Sequence, residues 1–400
     1  MSSRLPLRMP PFGAATVRHR GLGRALTGWT ELSPMLWDLI AEGHFRGDPL
    51  ADTVVEWIVE ADSATRRAQL NDALHHGVSA STPAPLRTFF EQLGTAPAWA
   101  EPETMEEGVR VCRLAGRAAF YVLRDGGLMP GYLSSAINQT LLMTGALQRG
   151  ARRRLAETMQ WWLDCTVPLG LRPGSIGWIS TLHVRFMHAF VRHRLRRSPD
   201  WRLDHWGLPV NQSDMAGTWL VFAIEFLLGL RALGVPVTLT EGHAALHLWR
   251  VIGWLMGVAP HWLIETESAG VRLLWHIVLS QPEPDRSSWQ LGTALMNEPL
   301  ERPYESLKWL RQRFDRQAHI SASSLFLSAS QLRALGLPPR ALPWFPLLRF
   351  PFNVARHVAL RALPGGRDRL VAEGRAQQEA LVREVFGREQ RGLGHVEAPR

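Results

Sequence analysis

An all-α fold in one large domain is the architecture this sequence predicts, on three observations. Apolar residues recur at helical spacing from about Leu32 to Leu360, period-two strand runs are almost absent, and no Ser/Gly- or Pro-rich linker splits the chain. With 46% of its 400 residues hydrophobic, the chain carries ample material for a buried core. No repeat of fixed period is visible, which excludes a solenoid.

Helices are expected over 49–61, 63–76, 104–124, 151–166, 178–197, 214–233, 239–257 and 260–279. Their stops are conventional. Gly126-Gly127 and Pro130 break the helix after 124, and Pro168, Pro173 and Gly174 separate the next two. Ser198-Pro199-Asp200 closes the one after Arg197, and Asp214 is the expected N-cap of the next, which ends before Gly234 and Pro236. The region from Leu337 to Leu363, with five prolines, reads as irregular packing against the core. From Arg367 a charged amphipathic helix is expected, then a Gly-rich disordered end. The organisation expected is an N-terminal helical extension (1–84), a core (85–300), packing helices (301–366) and a charged tail (367–400).

The formal charge is +9, carried almost wholly by arginine, with Lys308 the sole lysine. The arginines are spread along the chain without any nucleic-acid reader motif, so a nucleic-acid partner is not expected. Cys112 and Cys165 belong to no CxxC or CxxCH run, which argues against a zinc ribbon, covalent haem attachment and a disulfide scaffold. The N-terminus shows no uninterrupted apolar h-region and no twin arginine, so a cytoplasmic location is expected. The arginine-rich ends leave peripheral membrane contact open. The apolar stretch from Met215 to Val235 is interrupted by Glu225 and Arg231 and reads as a core helix, not a span. GxSxG, GxxxxGK[ST] and strand-borne GxGxxG motifs are missing, so hydrolase, NTPase and Rossmann readings lack support.

Two helix faces carry chemistry. On 179–197, positions 181, 184, 185, 188, 191, 192 and 195 share a side, placing His188 in an apolar stripe between Arg185 and Arg192. Haem would use such a face, because iron takes a neutral imidazole and propionates take cations; a core histidine bonded to a carbonyl is the alternative. On 151–166, Arg154, Glu157, Thr158 and Trp161 share a face, suited to the oxygen side of a pocket or, alternatively, to a surface Arg–Glu pair beside an inward Trp. His243 and His247, spaced i,i+4, would suit a helical zinc site but have no third ligand in view. The tryptophans at 161, 162, 178, 249, 254, 262 and 275 read mostly as core, with one or two lining a hydrophobic channel.

The runs RRLAET (153–158), LRPGSIG (171–177) and HVRFMHAFVR (183–192) resemble the signature block of the latex-clearing (rubber oxygenase) family and its MpaB-type relatives. PAWAEPETMEEG (97–108), NQSDMAGTWLVFAIEFLLGLRALGV (211–235) and HLWRVIGWLMGV (247–258) extend the resemblance over about residues 85–300. It implies a globin-like helical core holding a non-covalent haem b, with dioxygen as co-substrate and a polyisoprenoid or other apolar substrate. By position it implies His188 as the iron ligand, Arg154 and Thr158 beside the oxygen side, and Arg192, with Arg185, toward the propionates or locking the helix.

This chain departs from the family twice. Glu157 stands where rubber oxygenases carry a lysine. Residues 131–150 hold no acid where those enzymes carry a glutamate base; Asn138 or Gln139 lies near that place. Two readings follow: a haem-dependent oxygenase acting on an apolar unsaturated substrate, with Glu157 as a substitute pocket acid, or a helical haem- or lipid-binding protein that kept the fold without the chemistry.

Overall fold

The computed structural model describes residues 6–18, 31–94, 96–145 and 150–387, and these form helices with no β-strand among them. Helices α1 (Pro34–Gly43), α2 (Pro49–Glu60) and α3 (Ser63–His76) start where Ser33, Asp48 and Asp62 accept first-turn backbone N–H groups. Helices α4 (Ala84–Leu93) and α5 (Pro102–Leu114) start with proline in the first turn, where no N–H is needed.

The helix expected over 104–124 is divided at Gly116, whose φ of 53° is left-handed. Beyond it α6 (Arg117–Tyr121) continues through a π-helical segment, Val122–Leu128, into Met129–Gly131. The break expected at Gly126-Gly127 and Pro130 therefore does not occur. Those glycines serve close packing instead: a Cβ on Gly127 would overlap Val221, and one on Gly126 would meet the Phe326 ring at 3.2 Å. Helices α7 (Ser135–Met143), α8 (Ala151–Cys165) and α9 (Ile176–Arg196) follow.

Helix α10 (Gln212–Leu220) is capped by Asn211, not Asp214; the Asn211 side-chain Oδ1 accepts the Asp214 N–H at 3.0 Å. The Asp214 carboxylate is instead taken by Arg8 in a two-pronged ion pair at 2.8 and 2.9 Å. A second π-helical segment, Val221–Glu225, joins α10 to α11 (Phe226–Ala232). The span Gln212–Ala232 is long and apolar enough to cross a membrane, yet more than half of it is buried in the protein, as a core helix requires. Helices α12 (Leu239–Leu255), α13 (Glu267–Ser280), α14 (Arg286–Asn297) and α15 (Lys308–Phe326) complete the main body.

The irregular packing expected over 337–363 is replaced largely by an 18-residue helix, α16 (Trp344–Arg361). Its Pro346 lies in the first turn, where it costs no hydrogen bond, and Pro351 is the one interior proline. Helix α17 (Gly366–Phe386) realises the expected tail helix and packs Leu370, Leu381 and Val385 in the core alongside α5 and α8. The Gly-rich end expected beyond it lies outside the described residues.

One apolar core runs through the chain from Met9 to Phe386. A smaller cluster around Leu295, Ile320 and Leu335 lies beside a buried ionic network. There Arg302 grips Glu298 with two bonds of 2.8 Å, Arg124 reaches the same carboxylate at 3.2 Å, and His319 meets Asp125 at 2.6 Å. Cys112 and Cys165 are free and buried; burial pushes the Cys112 thiol up to about 12, so it is unreactive as a nucleophile.

Candidate active site

Helices α8, α9, α10–α11, α12 and α13, with the Val122–Leu128 segment, α7 and α15, line a partly open cavity of about 2180 Å³. That exceeds the roughly 300–1,000 Å³ of an ordinary small-molecule site. Its walls are largely apolar. Trp161, Phe222 and Trp249 form a continuous aromatic wall, with Phe222 stacked on Trp249 at 5.0 Å and edge-on to Trp161 at 5.3 Å.

His188 lines this cavity from α9. Its Nδ1 is buried with no hydrogen-bond partner, which removes the alternative of a core histidine bonded to a carbonyl through that atom. Burial, helped by the Arg192 charge, lowers its pKa to about 4, so the ring is neutral at pH 7. Neutral imidazole is the metal-binding form.

The stripe on α9 divides. Val184, Met187 and Val191 join His188 in the cavity wall, whereas Arg185 and Arg192 do not line it. At about 100° per residue, Val184 and Val191 lie roughly 50° to one side of His188 and the arginines roughly 50° to the other. The expectation that these cations meet propionates is therefore corrected. Arg185 is buried and gives Nε and Nη2 to Asp48 at 2.6 and 2.9 Å and Nη1 to the Leu255 carbonyl at 3.2 Å. Arg192 gives Nε to Asp52 at 2.8 Å and Nη1 to the Val210 carbonyl at 2.7 Å. Together they fasten α9 to α2, the locking role that was the other expectation. Gly257 makes room for the first pair: its φ is 86°, and a Cβ there would stand 2.7 Å from Arg185 Nε.

From α8, Arg154, Glu157, Thr158 and Trp161 all line the cavity, as one helix face should. Arg154 has no ion-pair partner among the described residues, while the other lining arginines for which contacts are given are tied to carboxylates or aromatic rings. The Thr158 hydroxyl donates to the Arg154 carbonyl at 3.0 Å, leaving its lone pairs to the cavity. Glu157 arrives already paired, with Arg153 at 3.0 Å. Asn138 and Gln139 lie outside the cavity wall: Asn138 is buried and donates to the Tyr132 carbonyl at 2.7 Å, and Gln139 to the Ser135 carbonyl at 3.2 Å.

The residue that sequence reasoning missed is Glu225. It closes the π-helical segment and lines the cavity with no hydrogen bond or ion pair among the described residues. Burial alone pushes its carboxyl up to about 8, so it holds a proton at neutral pH. Among the lining acids, Asp214 is held by Arg8, Asp315 by Arg302, and Glu157 by Arg153. The signal in the sequence is a lone acid in an apolar run, which by itself argues only against a membrane span.

His243 and His247 do not form a metal site: His247 Nε2 accepts the Glu101 N–H at 2.9 Å, and no group of three or more potential metal ligands occurs among the described residues. An ion held at His188 would thus need a group that brings its own donors. Porphyrin brings four nitrogens, and the neutral, unpartnered imidazole in a large apolar cavity fits it.

The fold and cavity define an all-α protein with a buried imidazole facing a large hydrophobic chamber. The family described as "ER-bound oxygenase mpaB/B'/Rubber oxygenase, catalytic domain" matches residues 112–360, and the chain belongs to that family. It is similar to a rubber oxygenase of Streptomyces sp. (strain K30), with 27% identity over 270 residues; the match spans 64% of this chain and 64% of that protein's length. A solved structure of the latex clearing protein in its closed state shares the fold, with a TM-score of 0.62 at 19% identity, covering 84% of this chain and 91% of the other.

Proposed function

We propose that this protein is a haem b-dependent oxygenase acting on an apolar, unsaturated, isoprenoid-type substrate. The observation that carries the reading is His188, a neutral imidazole with an unpartnered Nδ1 in the wall of an apolar cavity. Family membership and the relative's printed name, rubber oxygenase, support the reaction class. When bound, haem would supply the activation of dioxygen.

The chain's own residues would do the rest. His188 would hold the iron from α9. Arg154 places a guanidinium in a low-dielectric chamber, where it stabilises negative charge more strongly than in water. The Trp161–Phe222–Trp249 wall binds the hydrocarbon and excludes water. Glu225, protonated at rest, holds a proton on a carboxyl oxygen for transfer, and takes the part left vacant by the acid-free 131–150 segment in preference to the paired Glu157.

Haem-loaded protein is expected to show a Soret band and to consume oxygen when given a soluble isoprenoid; a Soret band with no uptake on any unsaturated substrate would instead establish the non-catalytic binding protein. Glu225→Gln is expected to keep the Soret band and lose about 10²-fold in oxygen uptake.

The same variant has a pH signature. A carboxyl raised from its ordinary 4.5 to about 8 is ionised only in the unfolded chain across that window, so the stability that Glu225 itself contributes declines as pH rises from about 5 to 8. Glutamine does not titrate. The melting temperature of Glu225→Gln should therefore match wild type near pH 5 and exceed it by several degrees near pH 8. A pH-independent difference would show Glu225 to be ionised in the folded protein.

A further inference from the structure

Helix α16 is inverted. Its inward side carries the buried polar residues Asn353 and His357, with Asn353 donating to the Leu233 carbonyl at 2.8 Å. Its outward side, at i,i+3 and i,i+4 spacing, is Trp344, Leu347, Leu348, Pro351, Phe352 and Val358. Leu348 is 68% exposed and Phe352 58% exposed, the reverse of an ordinary surface helix.

The exposed apolar surface continues onto the first turns of α15. Phe314 lies 6.1 Å from Trp344, and Trp309 and Leu310 are 65% and 55% exposed beside it. Leu310 and Phe314 also line the cavity, so the outer patch and the inner chamber share a rim.

The unpaired charge around this patch is basic. Residues 316–367 hold seven arginines and no aspartate or glutamate; Arg356, Arg361 and Arg367 are paired with Glu373, Glu241 and Glu107 from elsewhere in the chain. Arg333, Arg340 and Arg349 are exposed and have no carboxylate partner among the described residues; Arg313, over the Trp309 ring at 4.6 Å, is likewise exposed.

We propose that α16 and the start of α15 dock the protein on an anionic lipid bilayer, so that the cavity is loaded with a membrane-dissolved isoprenoid lipid. Exposed Trp, Phe and Leu suit the acyl boundary, and the exposed Arg313, Arg333, Arg340 and Arg349, with no carboxylate partner among the described residues, suit anionic headgroups. A second copy of the chain fits less well, because a two-fold contact through this face would bring arginines against arginines. Only the loading clause rests on the oxygenase reading; the docking clause stands on the surface alone.

The experiment is co-sedimentation of the full chain with phosphatidylcholine vesicles, with and without phosphatidylglycerol at about 30 mol%. Binding is expected with the anionic vesicles, weakening with salt and accompanied by a blue shift of tryptophan emission. Leu348→Glu with Phe352→Glu, both outward-facing, should lower binding about tenfold or more while far-UV circular dichroism is unchanged. His188→Ala should bind vesicles as wild type does, so loss of the haem reading leaves docking standing. Vesicle binding with no faster oxidation of a membrane-dissolved isoprenoid than of a detergent-dispersed one would overturn the loading clause. Equal binding by the double variant, or no binding by wild type together with a dimer that the double variant dissolves, would overturn docking in favour of bare electrostatics or a second copy.

Discussion

His188→Ala, reconstituted with haem b, is expected to lose the Soret absorption of a histidine-ligated haem while its far-UV circular dichroism stays that of the wild type. The side chain makes no hydrogen bond through Nδ1 and borders a cavity, so truncation leaves no protein group unsatisfied and enlarges a space that already exists. The structural cost should therefore fall at or below the low end of the roughly 2–5 kcal/mol seen for large-to-small core changes. The ligand cost is far larger, because His319, another imidazole lining the cavity, is already engaged by Asp125 and Arg302. Added imidazole should restore the band by entering the space the ring vacates, a rescue that a merely structural role would not show. A normal Soret spectrum in the variant without imidazole would remove His188 as the ligand.

Asp48→Ala is expected to be the most destabilising single change near the site. Asp48 and Arg185 are both buried, and removing the carboxylate leaves a guanidinium without its counter-charge in the core. Breaking a buried pair in this way costs about 3–5 kcal/mol. The matching pair on the next turn, Arg192 with Asp52, has a carboxylate that is 28% exposed, so water can take its place and Asp52→Ala should cost less than half as much. Urea midpoints for the two variants give the comparison. Because Arg185 precedes His188 by three positions on α9, Asp48→Ala should also weaken haem retention, read as faster transfer of haem to apomyoglobin. Equal destabilisation by the two variants would show that burial does not set the strength of these pairs.

Much of the site was legible before the fold. His188 stood out because an imidazole in an apolar helical stripe needs a partner, and Arg154, Glu157, Thr158 and Trp161 were grouped by helical spacing and do share one wall. The sequence leaves Arg185 and Arg192 between two roles, meeting propionates or locking the helix, because a helix face more than 100° wide contains both a cavity side and a packing side, and periodicity cannot divide it. Asp48 and Asp52, which claim those arginines, lie about 140 residues earlier. Gly126-Gly127 misled for a related reason: as stop signals they are local, but here Val221 and Phe326 pack so closely that glycine is needed within a continuing helix.

By itself the sequence determined which segments are helical, which helix carries the cavity-lining imidazole and which side chains accompany it, since these follow from neighbours three and four residues apart. Tertiary structure alone decided that Glu225 is an unpartnered cavity acid, that two arginines serve as fasteners, and that α16 turns its apolar side outward. Each of those depends on which distant surface a helix meets, and the free energy of burying or pairing a group is set by that surface and not by the residue's own periodicity.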